Sequence, residues 1–278
     1  MWQDKFNTLY FNGCSFTEGG GLEERTINVK LAYKEKYNIE YNSEKDVSYP
    51  ALIQKKFPNI KIINEAKSGS GSERIVRKAY EYITKNGIKK SQKTIFFFEI
   101  QGAINRLDVY SNKYNRYLVA NVDYKDTGKI NDTQTTLDWI YGPQMDEEYR
   151  NKTRNLIKEY SEYFINPIKY EQNVCYSFMG LISFLKQNNI QFFVSGGLHY
   201  FTNHINFNNY FPNFFENHLL KIEYNNKIYD CITTLAGNNK MQITDDVGID
   251  ISCDGHPGIF AHRIWADGII NFLNKKYL

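Results

Sequence analysis

Seven consecutive residues, Thr94-Ile95-Phe96-Phe97-Phe98-Glu99-Ile100, constrain this chain more than any others. The run does not alternate between apolar and polar, so it is too uniformly apolar to leave one face in water. A strand of this kind belongs inside a sheet covered on both faces, as parallel sheets are. The neighbouring segments fit that placement. Leu9-Tyr10-Phe11 reads as a short buried strand, stopped at Asn12-Gly13-Cys14-Ser15 by glycine and small polar residues that form a turn. Ser48-Tyr49-Pro50 opens a helix through about Phe57, with Pro50 suited to the first turn, and Ile60 to Ile63 form a second strand. Ser70 and Glu73 have the spacing of a capping box, which predicts a helix start there. Ile75, Val76, Ala79, Tyr80 and Ile83 continue it at helical spacing until Asn86-Gly87. The order β, α, β, α, β predicts an α/β fold of three layers, a mostly parallel sheet between helices, with the site built by loops at the strands' C-terminal ends.

From about Asp108 to Tyr170 the rhythm is lost, and the segment carries many rings, among them Tyr110, Tyr114, Tyr117, Trp139, Tyr141 and Tyr149. It reads as an aromatic-rich insertion, helical around Asp146 to Phe164. The rhythm returns with a helix near Tyr176 to Lys186 and a strand from Ile190 to Val194, ending at Ser195-Gly196-Gly197. A second irregular stretch covers His199 to Tyr229. A last helix starts near Gly258, with Ala261, Ile264, Trp265, Gly268, Ile269, Phe272 and Leu273 on one face. No repeat or long linker interrupts the chain, so all 278 residues read as one domain with insertions at about 108–170 and 199–229.

Charge excludes some partners. The 34 basic and 31 acidic residues are spread along the chain and leave a net charge of +3, too weak a field to imply nucleic acid or an anionic membrane. Met1-Trp2-Gln3-Asp4-Lys5 lacks the basic start and apolar run of an export signal, and no stretch reaches the ~18 apolar residues of a membrane span, so a cytoplasmic protein is expected. Cys14, Cys175, Cys231 and Cys253 are scattered without metal-ligand spacing and read as free thiols. No cofactor is implied, and the sequence does not bear on oligomeric state.

Three separated segments end up side by side in such a sheet: Gly13-Cys14-Ser15-Phe16-Thr17, Asn64-Glu65-Ala66-Lys67-Ser68-Gly69 and Asp254-Gly255-His256-Pro257. In this order they resemble the SGNH (GDSL-like) hydrolase family, in a form whose first block is Gly-Cys-Ser-Phe-Thr. The family's first block supplies a nucleophilic serine, its second a glycine whose N–H binds an oxyanion, and its last an Asp and a His before the C-terminal helix. The resemblance implies a flavodoxin-like SGNH hydrolase fold. It also implies a serine esterase that removes an acyl group, acetyl foremost, from a carbohydrate or other small polar substrate through an acyl-Ser15 intermediate. Two alternatives stand beside it: acyl transfer to a sugar hydroxyl, and a carbohydrate-binding or phage/surface-assembly protein that keeps the fold without the activity.

The chemistry of these residues agrees. A serine hydroxyl is a poor nucleophile until an imidazole removes its proton, and the imidazole needs a carboxylate to fix its tautomer. Ser15, His256 and Asp254 are the candidates for these roles. The N–H groups of Ser15 and Gly69 are candidates for the oxyanion, where losing one donor typically costs roughly 2.7–4 kcal/mol. Gly69, without a Cβ, lets the backbone approach a substrate closely.

The chain departs from the family pattern in its third block. Ala103 stands where the family has an oxyanion-binding Asn, which leaves Gln101 or Asn105 to supply an amide. Arg106 is suited either to an anionic substrate group held bidentately or to a structural ion pair. Asp254 lies two residues before His256 rather than three, with Cys253 at the usual place, so Asp250 is a reserve candidate for orienting the imidazole. A metal held by Cys14, Cys253, Asp254 and His256 is disfavoured, because adjacent residues in a tight turn rarely all point inward. A Cys14 thiol nucleophile is disfavoured by the strand-end geometry. His199, His204 and His262 read as packing, capping or surface residues, and the ring-rich insertion as a lid or a sugar-stacking surface.

Overall fold

Alternate residues of the strand Thr94–Ile100 point to opposite sides of a sheet, and both sides are covered. The computed structural model describes residues 1–22, 27–43, 46–100, 106–113, 115–121, 147–164, 167–197, 216–248 and 255–278. Its strands are β1 (Thr8–Asn12), β2 (Lys61–Asn64), β3 (Thr94–Ile100), β4 (Arg106–Ser111), β5 (Arg116–Asn121), β6 (Gln191–Gly196), β7 (Ile222–Tyr224) and β8 (Lys227–Tyr229). The central sheet has the order β2-β1-β3-β6, and every neighbouring pair is parallel. Isolated parallel bridges from Val194 to Leu219 and from Gly196 to Cys231 extend it beyond β6.

On one face Leu9, Phe11, Ile95, Phe97 and Phe193 pack with Ile53, Trp265, Ile269 and Leu273, from the helices Tyr49–Lys56 and Ile259–Lys276. On the other, Tyr10, Phe96, Phe98, Phe192 and Val194 pack with Ile75, Ala79, Phe178 and Leu181, from Ser72–Asn86 and Pro167–Gln187. The fold is therefore a three-layer α/β/α sandwich. Each buried aromatic or aliphatic side chain contributes roughly 1.5–3 kcal/mol, which is why the uniformly apolar run can only sit at the centre. From β1 the chain moves outward to β2 and then back across to β3, so the strand order reverses between β1 and β3. A crevice at the strands' C-terminal ends is expected at that switch point.

Several local expectations are corrected. The capping box does not form: the helix begins at Ser72, its N-cap Gly71 carries no side-chain bond, and Ser70 Oγ is buried without a hydrogen-bond partner. Glu73 instead accepts the Asp108 N–H at 3.4 Å. The start of the segment expected to be irregular from Asp108 is instead part of an antiparallel hairpin, β4 and β5, that begins at Arg106. The helix expected from Tyr176 starts at Pro167. The helix Ile27–Tyr37 was not expected, since among its described side chains only Val29 and Tyr33 are buried, and so small an apolar stripe gives little periodic signal. The shorter helices Ile232–Asn238 and Ile243–Val247 were also missed. Tyr114, Trp139, Tyr141, His199 and His204 lie outside the described residues. No helix among the described residues is long and apolar enough to cross a membrane.

Candidate active site

Ser15 is the first residue of a single helical turn, Ser15–Glu18, that starts directly beyond β1. A helix start leaves backbone N–H groups without intrahelical partners, so the serine hydroxyl comes with available amide donors. Gly19 closes the turn in the left-handed conformation, at φ 95°. Across 241 residues of sequence, His256 Nε2 lies 3.0 Å from Ser15 Oγ. That separation is within the range of a nucleophile and its base. Accepting the serine proton at Nε2 requires the hydrogen to be on Nδ1.

His256 is held from several sides. Its carbonyl accepts the Ile243 N–H at 3.0 Å, and the Gly258 N–H donates to the Met241 carbonyl at 2.8 Å. The Phe16 ring lies 5.0 Å from the imidazole, tilted by 60°. The helix that follows is anchored at its start by Tyr33, whose hydroxyl accepts the Ile259 N–H at 3.1 Å and donates to Asp246 Oδ2 at 2.6 Å. A Cβ on Gly258 would fall 2.0 Å from that carboxylate oxygen, so the close approach needs a glycine. Asp254, Asp250 and Cys253 lie outside the described residues.

No family model matches this chain, and no curated protein does. Solved structures align along nearly all of it. One is a psychrotrophic esterase from Pseudoalteromonas sp., 13% identical over 96% of this chain and 99% of that one, with a TM-score of 0.44. Another is a member of the lipolytic protein G-D-S-L family from Veillonella parvula, 11% identical over 95% and 96%, with a TM-score of 0.41. A third is a catalytic mutant of an acetylxylan esterase from Geobacillus stearothermophilus, 11% identical over 96% and 94%, with a TM-score of 0.40. What this site can do has to be read from its own geometry.

The loop carrying Gly69 is tied to the turn that carries Ser15. Glu18, last residue of the helical turn, accepts hydrogen bonds from the Ser68 N–H and, at 2.6 Å, from the Ser68 hydroxyl, and it pairs with Lys67 at 3.3 Å. The Lys67 N–H donates to the Gly13 carbonyl at 3.2 Å. Gly20 lies between the two segments, where a Cβ would be 2.6 Å from Ser15 Cβ and 3.2 Å from Ser68 Oγ. Gly69 itself has φ +77°, a conformation that favours glycine. Arg106 reaches the same loop: its Nη1 donates to the Ser70 carbonyl at 3.2 Å. The structure thus brings Ser15, His256, Gly69 and Arg106 to one end of the sheet, while Gln101 and Asn105 lie outside the described residues.

Sequence reasoning missed the polar groups behind Ser15. Glu99, only 2% exposed, accepts the Cys14 thiol at 2.9 Å and the Thr17 hydroxyl at 2.5 Å. Burial, then the Glu99 charge, pushes the Cys14 thiol well above its usual range, which works against a thiolate nucleophile. His262 is fully buried, stacked on Tyr49 at 5.9 Å, with Nδ1 accepting the Tyr49 N–H at 3.3 Å. Burial and then the charge of His256 lower its pKa to about 3, so it is neutral. The signal for Glu99 was in the sequence: one carboxylate inside an apolar run that is buried on both faces must find donors there. Among the described residues no three His, Cys, Asp or Glu side chains gather as metal ligands.

Proposed function

We propose that the chain is a serine esterase of the SGNH (GDSL-like) type, with Ser15 as nucleophile and His256 as general base. The 3.0 Å approach of His256 Nε2 to Ser15 Oγ, at the C-terminal edge of a parallel sheet and beside its switch point, carries this reading. His256 takes the hydroxyl proton as Ser15 Oγ attacks the acyl carbon, and the oxyanion is met by the N–H groups of Ser15 and Gly69. The tetrahedral intermediate collapses to acyl-Ser15, and His256 returns the proton to the departing alcohol. Water then attacks the acyl group with His256 again as base, releasing the acid and free Ser15. Asp254 is assigned to the Nδ1–H of His256, with Asp250 in reserve. The substrate class is an acyl ester, acetyl foremost, on a carbohydrate or other small polar molecule. The ring-rich segment after β3 is assigned to substrate selection.

The test is hydrolysis of p-nitrophenyl acetate together with covalent labelling by a fluorophosphonate. Ser15→Ala is expected to abolish both while thermal unfolding shows the fold retained. Hydrolysis at the wild-type rate by Ser15→Ala would overturn the assignment.

A further inference from the structure

The turn that carries Ser15 closes around a carboxylate from a different strand. Glu99, next to last in β3, directs Oε1 to Cys14, which offers its thiol at 2.9 Å and its N–H at 3.4 Å. Oε2 accepts the Thr17 hydroxyl at 2.5 Å. Because the Thr17 proton points to Glu99, the Thr17 oxygen is left to accept from the Tyr49 hydroxyl, 2.9 Å away. Glu99 is 2% exposed, Cys14 and Thr17 0%, and Tyr49 4%. A carboxylate this far from water is tolerated only while its donors are in place.

Gly13 makes the arrangement possible. A Cβ there would lie 2.5 Å from Thr17 Oγ1 and 2.7 Å from Glu99 Cβ, so any side chain would force the two apart. Each residue of the Gly13–Thr17 block therefore has a physical task. Gly13 leaves room, Cys14 and Thr17 supply donors, Phe16 packs on the imidazole and Ser15 faces it.

We propose that Glu99 is the positioning residue of the nucleophile: its buried carboxylate grips the residue before Ser15 and the second residue after it, and so holds the Ser15 hydroxyl and N–H in attack geometry. The inference rests on Ser15 being the nucleophile. It gives Cys14 a role as hydrogen-bond donor rather than as a reactive thiol. It also accounts for a threonine at position 17, whose hydroxyl lies between two buried polar groups.

The test compares Glu99→Gln, Thr17→Val and Thr17→Ser in p-nitrophenyl acetate turnover, fluorophosphonate labelling rate and thermal unfolding, with Ser15→Ala as control. Thr17→Val keeps the shape and removes the donor. It is expected to lower kcat and the labelling rate by about 10- to 100-fold, with KM changed by less than about twofold, because a misplaced group costs rate rather than binding. Glu99→Gln should behave alike, and Thr17→Ser, which restores the hydroxyl, should recover activity to within about threefold of wild type. The proposal is overturned if Thr17→Val and Glu99→Gln unfold at lower temperature yet label and turn over like wild type, since the carboxylate would then serve stability alone. Should Glu99→Gln fail to fold, the Thr17 pair decides. An active Ser15→Ala would overturn the nucleophile assignment and this inference with it. An inactive Ser15→Ala beside fully active Glu99→Gln and Thr17→Val would overturn only the role of Glu99.

Discussion

The turn that carries Ser15 and the β4–β5 hairpin both lie near the C-terminal end of β3, and they are built by opposite means. In the turn, Cys14, Ser15, Phe16 and Thr17 are all buried; the Cys14 thiol and the Thr17 hydroxyl are matched to Glu99 and Tyr49, and the Ser15 hydroxyl faces His256. In the hairpin, Tyr110 and Tyr117 are 46% and 42% exposed, and the body holds it through Arg77, which bonds Asp108 at 2.8 Å and stacks on Tyr117 at 3.6 Å. On the proposed function the contrast separates two tasks. Chemistry demands groups fixed to fractions of an ångström, which buried, fully matched contacts provide. Substrate selection is the kind of task that surface segments on a rigid scaffold can carry and vary.

The largest expected effect is on the chemistry itself. His256→Ala should lower kcat by about 10³-fold or more, and Asp254→Asn should cost more than Asp250→Asn. The opposite order for the two aspartates, read from p-nitrophenyl acetate turnover, would move the orienting role to Asp250.

Gly13→Ala tests how rigid the buried side is. Its new Cβ would meet Glu99 Cβ, an atom fixed to the backbone of β3 and unable to swing aside. A loss of about 1–3 kcal/mol in urea unfolding is expected, as for other overpacked cores, with a fall in kcat. A variant as stable and active as wild type would show that the turn has slack.

The same side should make stability depend on pH through His262. Its folded pKa, lowered to about 3, lies below the usual value of 6.5. Between these values the unfolded chain binds a proton that the folded chain refuses, so this group's contribution is intact above pH 6.5 and is lost as the pH falls. One pH unit below 6.5 costs about 1.4 kcal/mol. His262→Asn, whose Oδ1 can accept from the Tyr49 N–H as Nδ1 does, should flatten the dependence of the thermal midpoint on pH in this window. An unchanged slope would assign the acid sensitivity to other groups.

The smallest effect is expected where the hairpin begins. Arg106→Ala should raise KM about tenfold for an ester bearing a carboxylate or phosphate, while scarcely changing turnover of neutral p-nitrophenyl acetate. Equal losses on both esters would instead tie Arg106 to the loop it touches at the Ser70 carbonyl.

The sequence alone determined the layered fold. Thr94–Ile100 had to be buried on both faces whatever surrounded it, and the interleaved helices left a parallel sheet as the way to do this. It also determined that Ser15 and His256 lie at strand and helix ends, because glycine-containing turns mark those ends locally. Tertiary structure decided the rest. Glu99 meets Thr17 across 82 positions, and Tyr49 meets His262 across 213. In place of the capping box expected at Ser70 and Glu73, the hairpin arrives alongside: the Arg106 carbonyl leaves no room for a Cβ at Gly71, and Glu73 accepts the Asp108 N–H. Periodicity reports which faces are buried, since burial acts on each residue by itself. A buried polar group is satisfied by whichever distant segment arrives beside it, and that is settled only when the chain has packed.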